Sequence, residues 1–259
     1  MTTLAERALH YLREGPRPPL DIARDVLGLG MANRTVAERL AAALLGADPR
    51  FTLDFDGRWT LVPEPMWHGV PLGDVRYAVV DVETTGMRPR RDDRITEIAV
   101  VHVDGLRRSV VFSSLVNPGR PIPWRIQTLT NITDVMVAEA PLFADVADQV
   151  LAALTGRVFV AHHARFDWAF VSAELERARD LPVRLPRLCT VRLSRRLVPE
   201  LERRNLDAVT RYFGVEISPE ARHRAAGDAD ATAAVLQRLI GRALDRGILT
   251  WEELEALGR

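Results

Sequence analysis

The stretch YAVVDVE, residues 77–83, constrains this chain more than any other. A continuous apolar run of this length reads as a buried strand. It ends in two acids spaced two apart. Side chains two apart on a strand leave the same face. Asp81 and Glu83 therefore stand side by side at the end of a buried strand. Burying two like charges is costly unless something compensates them. A divalent cation is the natural compensation, because carboxylate oxygen is the ligand magnesium prefers. An isolated Asp-x-Glu more often lies past the strand end in solvent. The Thr84-Thr85-Gly86 that follows makes this pattern specific.

The rest of the second part of the chain reads as a mixed α/β sheet flanked by helices. RITEIAVVHVD and RSVVFSSLVNP follow as two more strands, residues 141–155 as an amphipathic helix, and RVFVAHH as a fourth strand. A helix over FDWAFVSAELERARD, a short strand near Leu188 and helices at 205–214 and 225–246 complete it. Residues 1–62 have a different grammar: three short helices, then RFTLDFDGRWTLV alternating around Asp56-Gly57, a strong hairpin signal. Helix, helix, helix, hairpin is the order of a winged helix-turn-helix. Residues 63–73, with three prolines and two glycines, read as a linker, residues 74–246 as the second domain, and residues 247–259 as a short polar helix or tail.

Two further acidic segments matter. Asp167 opens a helix after the strand VFVAHH, where a bland role at the helix dipole would suffice. His223 and Asp228 lie five apart in RHRAAGDADATAAVL, with His223 in the loop before the helix that carries Asp228. The alanines of that helix allow a close approach to the sheet. Alone, each piece is weak; the ordered set DxETTG, RFD and HxAxxDA is strong.

That set resembles the three motifs of the DEDDh 3′→5′ exonucleases, within the RNase H-like fold, over about residues 75–245. RITEIAVV and LTNIT, which is similar to the family's LTGIT, extend the resemblance. It implies four catalytic acids at Asp81, Glu83, Asp167 and Asp228, and a catalytic histidine at His223. It implies two magnesium or manganese ions, with Asp81 bridging both, Glu83 and Asp228 completing one site and Asp167 helping to hold the second. His223 is the implied general base, and its ordinary pKa of about 6.5 suits proton transfer near neutrality. Thr84, Thr85, Thr130, Asn131 and Ile132 are the implied contacts for the terminal nucleotide. The chain departs from the family at His163, where asparagine is usual, at Asn131, where glycine is usual, and at Cys189, where aspartate precedes threonine. Phe166 reads as core, while Trp168 is left open between core and base stacking.

The expected activity is release of 5′-mononucleotides from the 3′ end of DNA, in proofreading or repair. RNA trimming is the alternative within the family, and an inactive nucleic-acid-binding regulator the alternative outside it. Expected partners are single-stranded DNA or 3′ ends, a DNA polymerase or repair protein, and duplex DNA or protein at residues 1–62. Charge tempers the duplex reading: residues 1–70 hold eight arginines against nine acids, a net of −1, whereas a DNA footprint is usually basic. The chain has no lysine, so all 35 of its basic side chains are arginine. No apolar run approaches the roughly 18 residues that span a bilayer. One cysteine excludes an internal disulfide, and no signal-peptide pattern opens the chain, so a cytoplasmic location is expected.

Overall fold

The computed structural model describes residues 3–46, 48, 50–53, 57–61, 67–179, 183, 185–218, 220 and 222–258. They form two compact units, Met1–Met66 and Trp67–Arg259.

In the first unit, α1 (Leu4–Leu12) is started by a capping box between Thr3 and Glu6. The next helical segment, α2 (Pro19–Asp21), continues into a π-helical turn at Ile22–Val26. The next helix, α3 (Arg34–Leu45), is capped by Asn33, whose side chain accepts from the Val36 N–H. Strands β1 (Phe51–Leu53) and β2 (Trp59–Leu61) pair antiparallel, and Trp59 also exchanges backbone hydrogen bonds with Arg17. Gly57 takes a positive φ of 70°, as a tight hairpin turn demands, while Asp56 lies outside the described residues. Ala8, Leu12, Ile22, Val26, Ala41, Leu45, Phe51 and Trp59 make this unit's own core.

The second unit is built on a five-stranded sheet of order β5-β4-β3-β6-β7. Its strands are β3 (Arg76–Thr84), β4 (Ile95–Asp104), β5 (Arg107–Leu115), β6 (Val158–Ala161) and β7 (Arg187–Cys189). The first three are antiparallel neighbours; β6 and β7 add in parallel. The mixed α/β sheet expected from the sequence is thus present. Strand alternation sorts β3 between two cores. Ala78, Val80 and Val82 meet α6 (Phe143–Leu154) and α7 (Ala164–Arg179) on one side. Tyr77 and Val79 meet α8 (Thr190–Leu197), α9 (Leu206–Phe213) and α10 (Ala225–Leu244) on the other. Ala225, Ala229 and Ala233, all fully buried, form the α10 face in that core and bring its backbone close to the sheet.

Between β5 and α6 lie α4 (Trp124–Thr130) and α5 (Asp134–Ala138), around a small core of Ile122, Ile132 and Val137. The C-terminal stretch is helical, as one of its two readings had it, but it and the described part of the linker stretch pack into the second unit's core. Within 63–73, residues 63–66 lie outside the described residues, but Trp67 and Leu72 are buried in the second unit's core. So are Trp251 and Leu254 of α11 (Trp251–Gly258), and Leu72 N–H donates to the Leu249 carbonyl. The physical reason is apolar burial: one tryptophan at each end of this unit finds the same core. No helix among the described residues is long and apolar enough to cross a membrane.

Candidate active site

Asp81 and Glu83 extend the row of Tyr77 and Val79, so they point to the side of the sheet occupied by α10. There Asp228, in the first turn of α10, meets them: one carboxylate oxygen from each of Asp81, Glu83 and Asp228 lies within 4.8 Å of the others. Asp167 is buried in the first turn of α7 and accepts N–H hydrogen bonds from its own backbone and from Val82. It stands outside that group of three, yet its charge acts on Asp81.

The electrostatics are those of acids held together against their preference. Burial, then the charges of Asp167, Glu83 and Asp228, push the Asp81 carboxyl well above the usual carboxylate range. Burial and the neighbouring Asp228 and Glu97 raise Glu83 to about 8. Burial raises Asp167 to about 7, against the pull of its two backbone N–H donors. Burial also raises Asp228, opposed by Arg222 and His223. The donor set, all carboxylate oxygen, suits a hard divalent cation. Asp228 Oδ1 fits that ligand role: it is buried and has no hydrogen-bond partner. A cation there would complete an atom that otherwise pays the full cost of desolvation.

His223 sits in the loop before α10, with φ +60°, and its backbone N–H donates to Asp228. Among the described residues, Asn131 and His223 are the two non-glycine positions with positive φ. Asn131 ends α4 at φ +55°, and asparagine tolerates this left-handed conformation better than other side chains with a Cβ. The glycine-to-asparagine departure noted in the sequence thus occupies a backbone conformation both residues can adopt.

The residues implied as nucleotide contacts lie in two segments, at the end of β3 and at the end of α4. Thr84 Oγ1 donates to the Gly86 carbonyl at 2.7 Å, and Thr85 Oγ1 accepts from Arg94 N–H at 3.0 Å. Both hydroxyls shape the loop that leaves β3. Thr130 Oγ1 donates to the Ile126 carbonyl, and Ile132 is wholly buried beside Ile122 and Val137. Asn131 is the exposed member of that segment. Trp168 is buried edge-on against Phe159, with Arg187 over its ring, and Phe166 packs on Phe170, so both aromatics beside Asp167 serve the core. His162 is buried between Thr190 Oγ1 and the Arg204 carbonyl, and burial pulls its pKa down to about 4, leaving it neutral. Its exposed neighbour His163 makes none of these contacts. Cys189, partly buried, precedes α8 and packs at the edge of the core shared with α6 and α7.

Three features escaped the sequence reading. Glu97, directly opposite Glu83 in the β3–β4 register, is buried and accepts from Arg224 Nη2 at 2.7 Å and from Ala225 N–H at 2.9 Å. It thereby holds the start of α10, three residues before Asp228. Glu174 is buried on α7 and takes a two-pronged hydrogen bond from Arg94, tying down the loop that follows Thr85. Arg222 bridges Asp207 and Asp228. The available signal for the first was a lone glutamate inside ITEIAVVHV, an otherwise apolar strand.

A model of the RNase T exonuclease family matches residues 78–236. The chain is 40% identical over 186 residues to the DNA polymerase III subunit epsilon-like protein of Rhodobacter capsulatus, covering 70% of this chain and 26% of that protein. It is 33% identical over 184 residues to the 3′-5′ exonuclease DinG of Bacillus subtilis, covering 71% of this chain and 20% of that protein. The chain therefore spans about a quarter or less of the length of these relatives. Among solved structures, Exonuclease X in complex with 5′-overhanging duplex DNA superimposes with a TM-score of 0.56 at 29% identity, covering 71% of this chain and 99% of that one.

Proposed function

The chain belongs to the exonuclease family, and from that premise we propose that it is a metal-dependent 3′→5′ exonuclease that releases 5′-mononucleotides from DNA ends. The observation that carries the reading is the convergence of Asp81, Glu83 and Asp228, from β3 and α10, beside the buried Asp167. DNA rather than RNA is the substrate in this reading because Exonuclease X, 29% identical to this chain, was solved in complex with duplex DNA.

Asp81, Glu83 and Asp228 would hold one divalent ion, magnesium or manganese, with Asp81 and Asp167 reaching a second. Bound there, the ions supply charge neutralisation at the scissile phosphate and orientation of the attacking water. His223 takes a proton from that water. Its Nδ1 lies 3.3 Å from Arg222 Nη1, which in turn donates to Asp228, so the imidazole stands beside the acid cluster. The loop after β3, held by Glu174 through Arg94, and the segment at Thr130, Asn131 and Ile132 frame the terminal nucleotide. We assign Thr84 and Thr85 to that frame as well. Single-strand ends are recognised by shape and backbone in such sites, more than by base edges.

For the first unit we propose a winged-helix-like role in docking duplex DNA or a protein of replication or repair. The Arg17–Trp59 bridge beside the β1–β2 pair supports this architecture. The test of the main reading is a time course on 5′-labelled single-stranded DNA with magnesium, beside a matching RNA strand and a mismatched primer-template. A ladder shortening from the 3′ end, abolished by EDTA and by Asp81→Ala, is expected. Faster trimming of the RNA strand would move the substrate to RNA; absence of cleavage with either metal would refute the enzyme.

A further inference from the structure

Arg222 stands where an exonuclease site built of four acids has no obvious need of a cation. Its Nη1 donates to Asp228 Oδ2, and its Nε donates to Asp207 Oδ1 at 2.6 Å. Among the described residues it is the one guanidinium that hydrogen-bonds any of Asp81, Glu83, Asp167 and Asp228. It is also the cation whose field opposes proton uptake at both Asp81 and Glu83. The side chain is 22% exposed, so its charge is only partly screened by water. The two carboxylates it joins differ in kind. Asp228 is buried in the acid cluster, with Oδ1 unpartnered, whereas Asp207 lies half exposed in the first turn of α9. Each uses a different nitrogen of the same guanidinium.

We propose that Arg222 is an internal counter-ion of the acid cluster, which shares Asp228 with the incoming divalent ion and passes its charge to Asp207 as that ion binds. The inference rests on the metal-site reading above. Its physics is direct. A guanidinium on one oxygen of Asp228 offsets carboxylate repulsion while the cluster is metal-free, and repels a divalent cation approaching the other oxygen. Asp207 supplies the place to which that charge retires. The bridge thus trades metal affinity for stability of the metal-free fold, and ties α9 to α10 at the position that sets Asp228.

The test reads metal binding and folding, not catalysis. Manganese is titrated into the full chain by calorimetry, and melting is followed with and without manganese. Arg222→Gln is expected to bind manganese about fivefold more tightly, to melt lower without metal, and to gain more in melting temperature on adding it. Arg222→Lys keeps the charge and is expected to bind within about twofold of the parent. Asp207→Asn removes the retreat and is expected to weaken binding about threefold; in the Arg222→Gln background the same change is expected to do little. These opposite signs separate a counter-ion from a scaffold residue, whose loss would weaken binding in every variant. Equal or weaker binding by Arg222→Gln overturns the proposal alone. A parent protein that binds no manganese overturns the metal-site reading and this inference with it.

Discussion

Removing the Glu97 side chain should disable the site without touching any of the acids that would hold the metal. Glu97 accepts two guanidinium N–H groups of Arg224 and the N–H of Ala225, all at the first turn of α10. Breaking a buried ion pair by deleting one partner typically costs about 3–5 kcal/mol. Arg224 is 35% exposed and can turn partly to water, which reduces that to about 2–3 kcal/mol. For a unit of this size each kcal/mol moves the melting temperature by about 2–4 °C, so Glu97→Ala should melt about 5–10 °C lower. Activity should fall at least about tenfold, because a displacement costing about 1.4 kcal/mol at His223 and Asp228 suffices for that. Melting is measured by circular dichroism in EDTA, so that bound metal does not hide the loss, and rate on labelled single-stranded DNA. Glu97→Gln keeps an acceptor for Ala225 and should fall between. A melting temperature within about 2 °C of the parent, with unchanged rate, would show that Glu97 does not hold α10.

Three other outcomes follow from the same geometry. His223→Ala should lower turnover more than about tenfold while manganese binding persists, with His223→Gly as the companion that relaxes the positive φ; unchanged turnover in both would remove His223 from the chemistry. The metal-free protein should lose stability as pH rises from about 6 to about 9, because acids whose folded pKa is raised, Asp167 to about 7 and Glu83 to about 8, hold protons that the unfolded chain has released. Magnesium should therefore raise the melting temperature more at the alkaline end, and a metal-free melt that is flat with pH would contradict the shifts. Asn131→Val should cost about 1–2 kcal/mol in urea unfolding, since a β-branched residue resists a φ of 55°, whereas Asn131→Gly should be nearly neutral; equal losses would deny the backbone a role.

The sheet and its helices were readable because alternation and apolar length carry physical information over a few residues. YAVVDVE announces a buried strand, and the two-residue period alone puts Asp81 and Glu83 on one face with Val79. The meeting of Asp228 with them needed the resemblance, since nothing local tells a helix which strand end it will approach. Glu97 was hidden for the same reason: its partners, Arg224 and Ala225, lie more than a hundred residues away. Arg222 looked like any loop arginine until Asp207 and Asp228 were seen on either side of it. The burial at both ends of this unit went unread because Trp67 and Trp251 each look isolated in the chain, and only folding shows that they enter one core.

The face of α10 that meets the sheet carries a consequence for how this sequence can drift. Ala225, Ala229 and Ala233 have no chemistry, yet they act as shims between helix and strand. Adding even two methyl groups at Ala229 would lift the neighbouring Asp228 off its two strand-borne partners. A survey of tolerated substitutions should therefore find these alanines nearly as intolerant as the acids, while exposed arginines elsewhere accept almost anything. The spacing of the reactive groups is recorded in residues that would never be nominated for a role in the reaction.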